Sequence, residues 1–405
     1  MTSAAQASGL PCRVPSRHIS EFGVVLFFAI VLPVFAQRAP IENAWDLLRQ
    51  GQRPQAIALL QQIIQQHPDN ADARLLLGSV LMEDGRRDES IAQLTEAVRL
   101  RPKSAEAQNA LGEAYIAFED FSSARAPLEQ AVALDANFAA ARANLGATLL
   151  QLGQSDAAAP HLDRAITLLG HSPDAAWPLY LRAKILSAAG QADKAAADLQ
   201  QAVSLRDDFA EAWSDLGDAR RNLRDDAGAL AAFERAVVLN PADSVAQYRL
   251  ASELLAQGMP HDAIPHFQEA VRLAPADQSA LNGLQRALRA DGRADEADQV
   301  RQKLADLFRA KNTEDRNSVE AIRLNNEGAA LEKSGDLRGA LEKYRAALAL
   351  WPDHTGIRTN LAAALLHLGQ WAEGVAELRE VLRREPGNEK VRAALNEALA
   401  HPPAH

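Results

Sequence analysis

Ser172 sits in the run Gly170-His171-Ser172-Pro173-Asp174. That order is similar to the sharp turn that lifts a nucleophilic serine out of a strand and into a helix. The chemistry needs a closing glycine and a preceding strand. Position 174 is Asp, and the flanking sequence has the spacing of helices, so a lengthened turn between helices is expected here. His261 and His266 are the next candidates. Two imidazoles four apart on a helix share a face and can hold zinc, whereas five residues rotate them apart. Pro260 and Pro265 also disturb that stretch, and both histidines are expected on the surface. His401 and His405 are four apart but lie in a proline-containing tail. No phosphate loop, metalloprotease motif or calcium loop is present. Carboxylates are plentiful, but Glu332 beside Lys333 and Glu342 beside Lys343 are typical of solvated helix faces. The expectation is a chain that is not an enzyme, with no cofactor and no metal.

The elements that carry these residues repeat. Pro68 and Pro102 are 34 apart, as are Pro241 and Pro275, and Pro352 and Pro386. Phasing on that period sets unit starts at Gln37, Ala71, Ala105, Ala139, Ala176, Ala210, Ser244, Gln278, Ala321 and Thr355. The eighth place of a unit is small nearly throughout, as in Gly78, Gly112, Gly146, Gly217 and Gly328, with Gln285 the departure. The twentieth place is always small, as in Ala56, Ser90, Ala124 and Gly374. The twenty-fourth is large, as in Leu94, Leu128, Phe233 and Tyr344, with Arg301 the departure. Two helices approach closely only where neither carries bulk. Each unit therefore reads as a helical hairpin, with glycines such as Gly51, Gly85, Gly153 and Gly335 stopping its first helix.

Composition agrees with this reading. The chain has 405 residues, 47% hydrophobic and 24% charged, which is too apolar for a disordered chain. Aromatic residues are only 5% and alanine is abundant, which favours close-packed helices over sheets. Net charge is -10, so phosphate backbones are repelled and nucleic acid is not an expected partner. Cys12 is the only cysteine, and stability must come from packing.

The repeated unit resembles the tetratricopeptide repeat. Residues 210–243 show it best, with Trp213, Leu216, Gly217, Ala229, Phe233, Ala236 and Pro241 on the family pattern. The resemblance covers 37–388. It implies an all-α, right-handed superhelical solenoid of about ten stacked helix-turn-helix repeats of 34 residues. Val391, Leu395 and Leu399 form an apolar stripe that adds a capping helix at 389–400. Repeats one to eight span 37–311 and repeats nine and ten span 321–388. Between them, 312–320 is a polar connector without proline or glycine, either an extended helix or a looser linker.

In such a family the first helices line a concave groove that takes an extended peptide or a partner helix. The sixth place of the first helix points into it, and in some members an asparagine ladder there binds peptide backbone. The candidates carried over are Asn144, Asp215, Arg249, Asn326 and Asn360. An amide both donates and accepts, so it can grip backbone without reading side chains. The sixth place also holds Leu76, Ala110, Leu181 and Gly283, so any ladder is partial. The plainer reading is a solvated polar wall or hydrogen bonds between stacked helices. Trp45, Trp177, Trp351 and Trp371 are read as packing residues before partner anchors.

Residues 22–36 are fifteen uncharged, largely apolar residues behind Arg13 and Arg17. A membrane-spanning helix needs roughly 20. Val34 and Ala36 fit a small-residue cleavage site, so 1–36 reads as a secretory signal peptide, with an uncleaved N-terminal anchor as the alternative. The expected function is an exported interaction scaffold, periplasmic or secreted, with a protein or peptide partner in the groove. The alternatives are a structural component of an envelope polysaccharide machine and, more remotely, an enzyme with an unrecognised site. A second copy of the chain is a further conceivable partner.

Overall fold

The computed structural model describes residues 35–400, with side chains from Pro40 onward. The leader up to residue 34, the tail histidines 401 and 405, and Cys12 lie outside the described residues. All regular structure among the described residues is helical. The order is α1 (Phe35–Arg49), α2 (Arg53–Gln66), α3 (Ala71–Glu83), α4 (Arg87–Leu100), α5 (Ala105–Ala117), α6 (Phe121–Leu134), α7 (Ala139–Gln151), α8 (Ser155–Leu169), α9 (Ala176–Ala188) and α10 (Ala192–Leu205). It continues with α11 (Ala210–Asn222), α12 (Asp226–Leu239), α13 (Ser244–Ala256), α14 (Pro260–Leu273), α15 (Gln278–Ala290), α16 (Ala294–Lys333), α17 (Leu337–Leu350), α18 (Thr355–His367), α19 (Trp371–Arg384) and α20 (Glu389–Ala400). One 3-10 turn covers Pro173–Ala175. No helix among the described residues is long and apolar enough to cross a membrane.

Eight unit starts read from the sequence are the first residues of α3, α5, α7, α9, α11, α13, α15 and α18. Local chemistry sets them. The residue before the helix is often a side-chain cap: Asn70 Oδ1 accepts from the Ala73 amide at 3.0 Å, and Ser104 Oγ from the Ala107 amide at 3.1 Å. Asp243 and Asp277 cap α13 and α15 in the same way. Each cap satisfies an amide that the helix leaves unbonded. First helices end on a residue with positive φ, which is glycine at Gly51, Gly85, Gly153, Gly190, Gly258, Gly292, Gly335 and Gly369. Glu119 and Arg224 hold the same place, at φ 59° and 64°. Here the turn is imposed on side chains that disfavour it.

The eighth and twenty-fourth places form the core of each hairpin. A Cβ on Gly78 would lie 2.5 Å from Leu94 Cγ, and one on Gly328 2.8 Å from the Tyr344 ring. Leu94, Leu128, Leu162, Phe233 and Tyr344 are almost wholly buried. The twentieth place closes against the eighth: Ser90 Oγ donates to the Gly78 carbonyl at 2.7 Å.

The helices fall into two compact units that divide between Leu273 and Ala274. In the second unit α16 runs unbroken for 40 residues, from the second helix of one unit of sequence into the first helix of the next, so 312–320 lies inside it. At the place where other units carry Pro68, Pro102 or Pro241 this one carries Arg309, and nothing stops the helix. Gln285 and Arg301 replace the small and large members of the core contact, and from 309 to 316 every side chain is exposed. Trp371 Nε1 donates to the Ala398 carbonyl at 2.9 Å and ties α20 to α19.

Candidate functional site on the first-helix face

Within the first unit the first helices of neighbouring repeats touch, α3 on α5, α5 on α7 and α7 on α9. Each second helix packs between its own first helix and the next one. The sixth places lie on this first-helix side.

Those sixth places are joints between repeats. Asn144 Nδ2 on α7 donates to Asn109 Oδ1 at 3.0 Å and to Glu113 Oε1 at 2.9 Å, both on α5. Arg249 on α13 repeats the geometry against α11. Its Nη1 donates to Ser214 Oγ at 2.6 Å and to Asp215 Oδ1 at 3.1 Å, and its Nη2 lies 2.9 Å from Asp218 Oδ2. In the second unit Asn360 Nδ2 donates to Asn325 Oδ1 at 2.8 Å. The rule is the same each time. A sixth-place side chain meets the residue 35 before it, one turn short of the residue 31 before it. Where the sixth place is apolar the joint is apolar, as where Leu76 packs with Ile41 and Trp45.

The structure therefore brings Asp215 and Arg249 together and ties Asn144 and Asn360 to the preceding first helix. Asn326 is exposed, and its Oδ1 meets only a long 3.5 Å contact from Asn325 Nδ2. Of the readings open in the sequence, these contacts are hydrogen bonds between stacked helices. The fifth and ninth places, Asn109, Glu113, Ser214, Asp218 and Asn325, are absent from the sequence-derived candidates. Their signal is a polar residue 35 or 31 before a polar sixth place, a spacing that a 34-residue alignment hides.

The joints carry unequal charge. Burial pushes the Glu113 carboxyl above its ordinary range, against the hydrogen bonds from Asn109 and Asn144. Burial also raises Asp218, Arg249 and Arg221 oppose the rise, and Asp215 and Glu253 add to it. Burial works against the charge of Arg249, but Asp218 and Asp215 hold its guanidinium more basic than usual. Tyr180 on α9 is buried, which raises its hydroxyl, and the negative charge of Asp215, 35 residues on, raises it further. Its ring lies 4.9 Å from Phe209 and 5.6 Å from Trp177, centroid to centroid. Beside these residues a cavity of about 210 Å³ opens, lined in part by Lys184, Ser187, Asp215, Asp218 and Asn222.

The enzyme-like motifs are local structure. Ser172 caps the short turn at 173–175: its Oγ accepts from the Asp174 amide at 3.3 Å and donates to Asp174 Oδ2 at 3.2 Å. His266 Nδ1 pairs with Gln247 Oε1 at 2.8 Å. Among the described residues no three metal-ligating side chains converge. Trp213 Nε1 donates to the Asp207 carbonyl at 2.9 Å, a packing role.

No curated protein matches the chain significantly. Among solved structures it resembles the anaphase-promoting-complex tetramer Cut9-Hcn1, at 20% identity and TM-score 0.37 over 58% of this chain and 52% of that one. It thus spans about half the length of that relative. It also resembles YrrB, described as a repeat protein with an unusual peptide-binding site, at 20% identity and TM-score 0.38 over 46% of this chain and 95% of that one. A third is PilW, a type IV pilus biogenesis factor, at 19% identity and TM-score 0.47 over 53% and 98%. At these identities the likeness concerns the fold alone. Tetratricopeptide-repeat family models match residues 47–114, 81–145, 137–208, 180–244, 248–308 and 331–398, which together span most of the chain. With the small-to-large hairpin contacts and the stacked first helices, this makes the chain a member of the tetratricopeptide repeat family.

Proposed function

We propose that this protein is an exported interaction scaffold that holds a peptide or partner protein on the face formed by its first helices. Members of the repeat family are generally protein-interaction modules rather than enzymes. The observation that carries the reading is the pair of joints between α5 and α7 and between α11 and α13. Asn144 and Arg249 each lock one first helix to the one before it. A face fixed this way loses little freedom when a partner binds, and that saving is what makes an extended surface an effective binder. The export half of the reading rests on residues 22–36 and the small residues Val34 and Ala36.

The test uses the full chain with its leader in a bacterial host. A photo-crosslinking residue is placed in turn at Asn222 on the first-helix side and at Val238 on a second helix, both exposed. The reading expects one protein captured reproducibly from Asn222 and not from Val238. Capture from Val238 alone, or from neither, would overturn it. N-terminal sequencing of the purified protein checks export: a start at Gln37 supports the leader, and a start at Met1 in the cytoplasmic fraction removes that half.

A further inference from the structure

The long helix α16 carries a seam that its own neighbours leave open. Ala305, Phe308, Asn312, Asp315, Val319 and Ile322 follow one another at steps of three and four. That is the spacing along which two helices pack. All six are exposed, with Phe308 at 58%, Val319 at 70% and Ile322 at 45%. Three large apolar side chains thus share one stripe, about 21 Å long from Phe308 to Ile322 at 1.5 Å per residue.

The stretch between them is poor helix by composition. Asn312, Thr313, Asp315, Asn317 and Ser318 all have low helix propensity, and every side chain from 309 to 316 is exposed. In proteins a helix is held mainly by packing of one face. An unbroken helix of 40 residues through this stretch therefore calls for something packed against it.

The order of the seam says what that is. Take a two-fold axis between residues 313 and 314, with a second helix of the same sequence running antiparallel. Phe308 then falls opposite the partner's Val319, and Val319 opposite the partner's Phe308. Ala305 falls opposite the partner's Ile322, small against large. Asn312 falls opposite the partner's Asp315, an amide donor against a carboxylate. Parallel pairing would set Asp315 on Asp315 and Ala305 on Ala305, a charge clash and a gap. Charge agrees with the antiparallel order. Asp306 holds Arg309 at 2.7 Å and Glu320 holds Arg323, whereas Asp315 and Arg316 form no ion pair among the described residues. Arg316 takes a flanking place of the seam, beside the layer that receives the partner's Asp315.

We propose that a second copy of this chain covers the seam, and that the two chains join as an antiparallel pair through the middle of α16. The proposal does not depend on the scaffold reading, which rests on the joints of the first unit.

The test is sedimentation velocity on the full chain as purified from its host, from about 1 to 100 µM. The chain is expected to pass from monomer to dimer across that range, with a dissociation constant of about 10 µM. Phe308→Glu is expected to weaken the dimer at least about a hundredfold. Val319→Glu, on the same seam, is expected to do the same. Val238→Glu, at an exposed site on α12, is expected to change nothing. Thermal melts check that each variant folds. Direction is read by disulfide trapping in a Cys12→Ser background. Phe308→Cys chains mixed with Val319→Cys chains are expected to crosslink, and neither is expected to crosslink alone. A chain that stays monomeric to the top of the range overturns the proposal and leaves the seam to a helix of another protein. So does a dimer that survives both seam variants, or one lost equally in Val238→Glu. Trapping of Phe308→Cys with itself, or in no combination, overturns the antiparallel pair.

Discussion

The joint between α5 and α7 and the joint between α11 and α13 use the same places of the repeat and different materials. In the first, two amides close on one acid: Asn144 bridges Asn109 and Glu113, and Thr148 lies buried one turn on. In the second, an arginine bridges a serine and two aspartates, and Glu253 lies buried one turn on. The backbone dictates the offsets of 35 and 31, since both come from stacking one first helix against another. It does not dictate the contents. The amide joint holds one acid and no cation, and the Thr148 hydroxyl beside it is buried without a hydrogen-bond partner among the described residues. An ionic joint must balance charge in a half-buried place, and here it leaves a carboxylate oxygen without a donor. The difference teaches that one geometric slot can serve as simple glue in one repeat and as a charged feature in another.

Removing the bridging group at each joint is the strongest way to break the comparison. Arg249→Met removes the guanidinium that Asp215 and Asp218 share, and is expected to cost about 3 kcal/mol in urea unfolding. Asn144→Leu deprives Glu113 of one of its two amide donors and is expected to cost about 1–2 kcal/mol. If the two losses are equal, the joints are not built differently in any way that matters to stability. A smaller effect comes from the lower helix of each joint, which ends on a non-glycine residue with positive φ. Glu119→Gly and Arg224→Gly are each expected to stabilise by roughly 1 kcal/mol, because the left-handed turn suits glycine. An unchanged melting temperature would mean that the turns are not strained.

The smallest effect concerns pH at the amide joint. The folded-state pKa of Glu113 is raised from its reference of 4.5 by burial. The native state therefore holds this proton more tightly than the unfolded chain. The stability it brings is full below about 4.5 and is lost as pH rises through the folded value. Glu113→Gln keeps an acceptor for both amides and removes the titration. Its stability relative to the natural chain is expected to be higher at pH 7 and to converge toward it near pH 4.5, as read by urea unfolding across that window. A constant difference would mean that burial does not shift this carboxyl.

The fold was readable because its signals are local and repeated. The turn glycines and the small eighth places each act within a few residues of sequence, so a 34-residue period exposes them. The continuity of α16 was readable only as one of two options. A missing proline at Arg309 permits a helix, but permission is not packing. The division between Leu273 and Ala274 has no compositional mark. The candidate site was half visible. Sixth places could be named, but not their partners, since Asn109 and Glu113 carry no sign that Asn144 lies against them.

The sequence by itself thus determined the repeat, the ends of most helices and the residues that must be small, because backbone hydrogen bonding and side-chain bulk act over one or two turns. Only the tertiary structure decided which polar side chains share a joint and which are left over. Pairing across 35 residues depends on how one helix leans on the next, and that lean is set by packing along the whole hairpin. It is why Arg249 closes on Ser214 and Asp218 while Glu253, one turn away, keeps an unanswered oxygen.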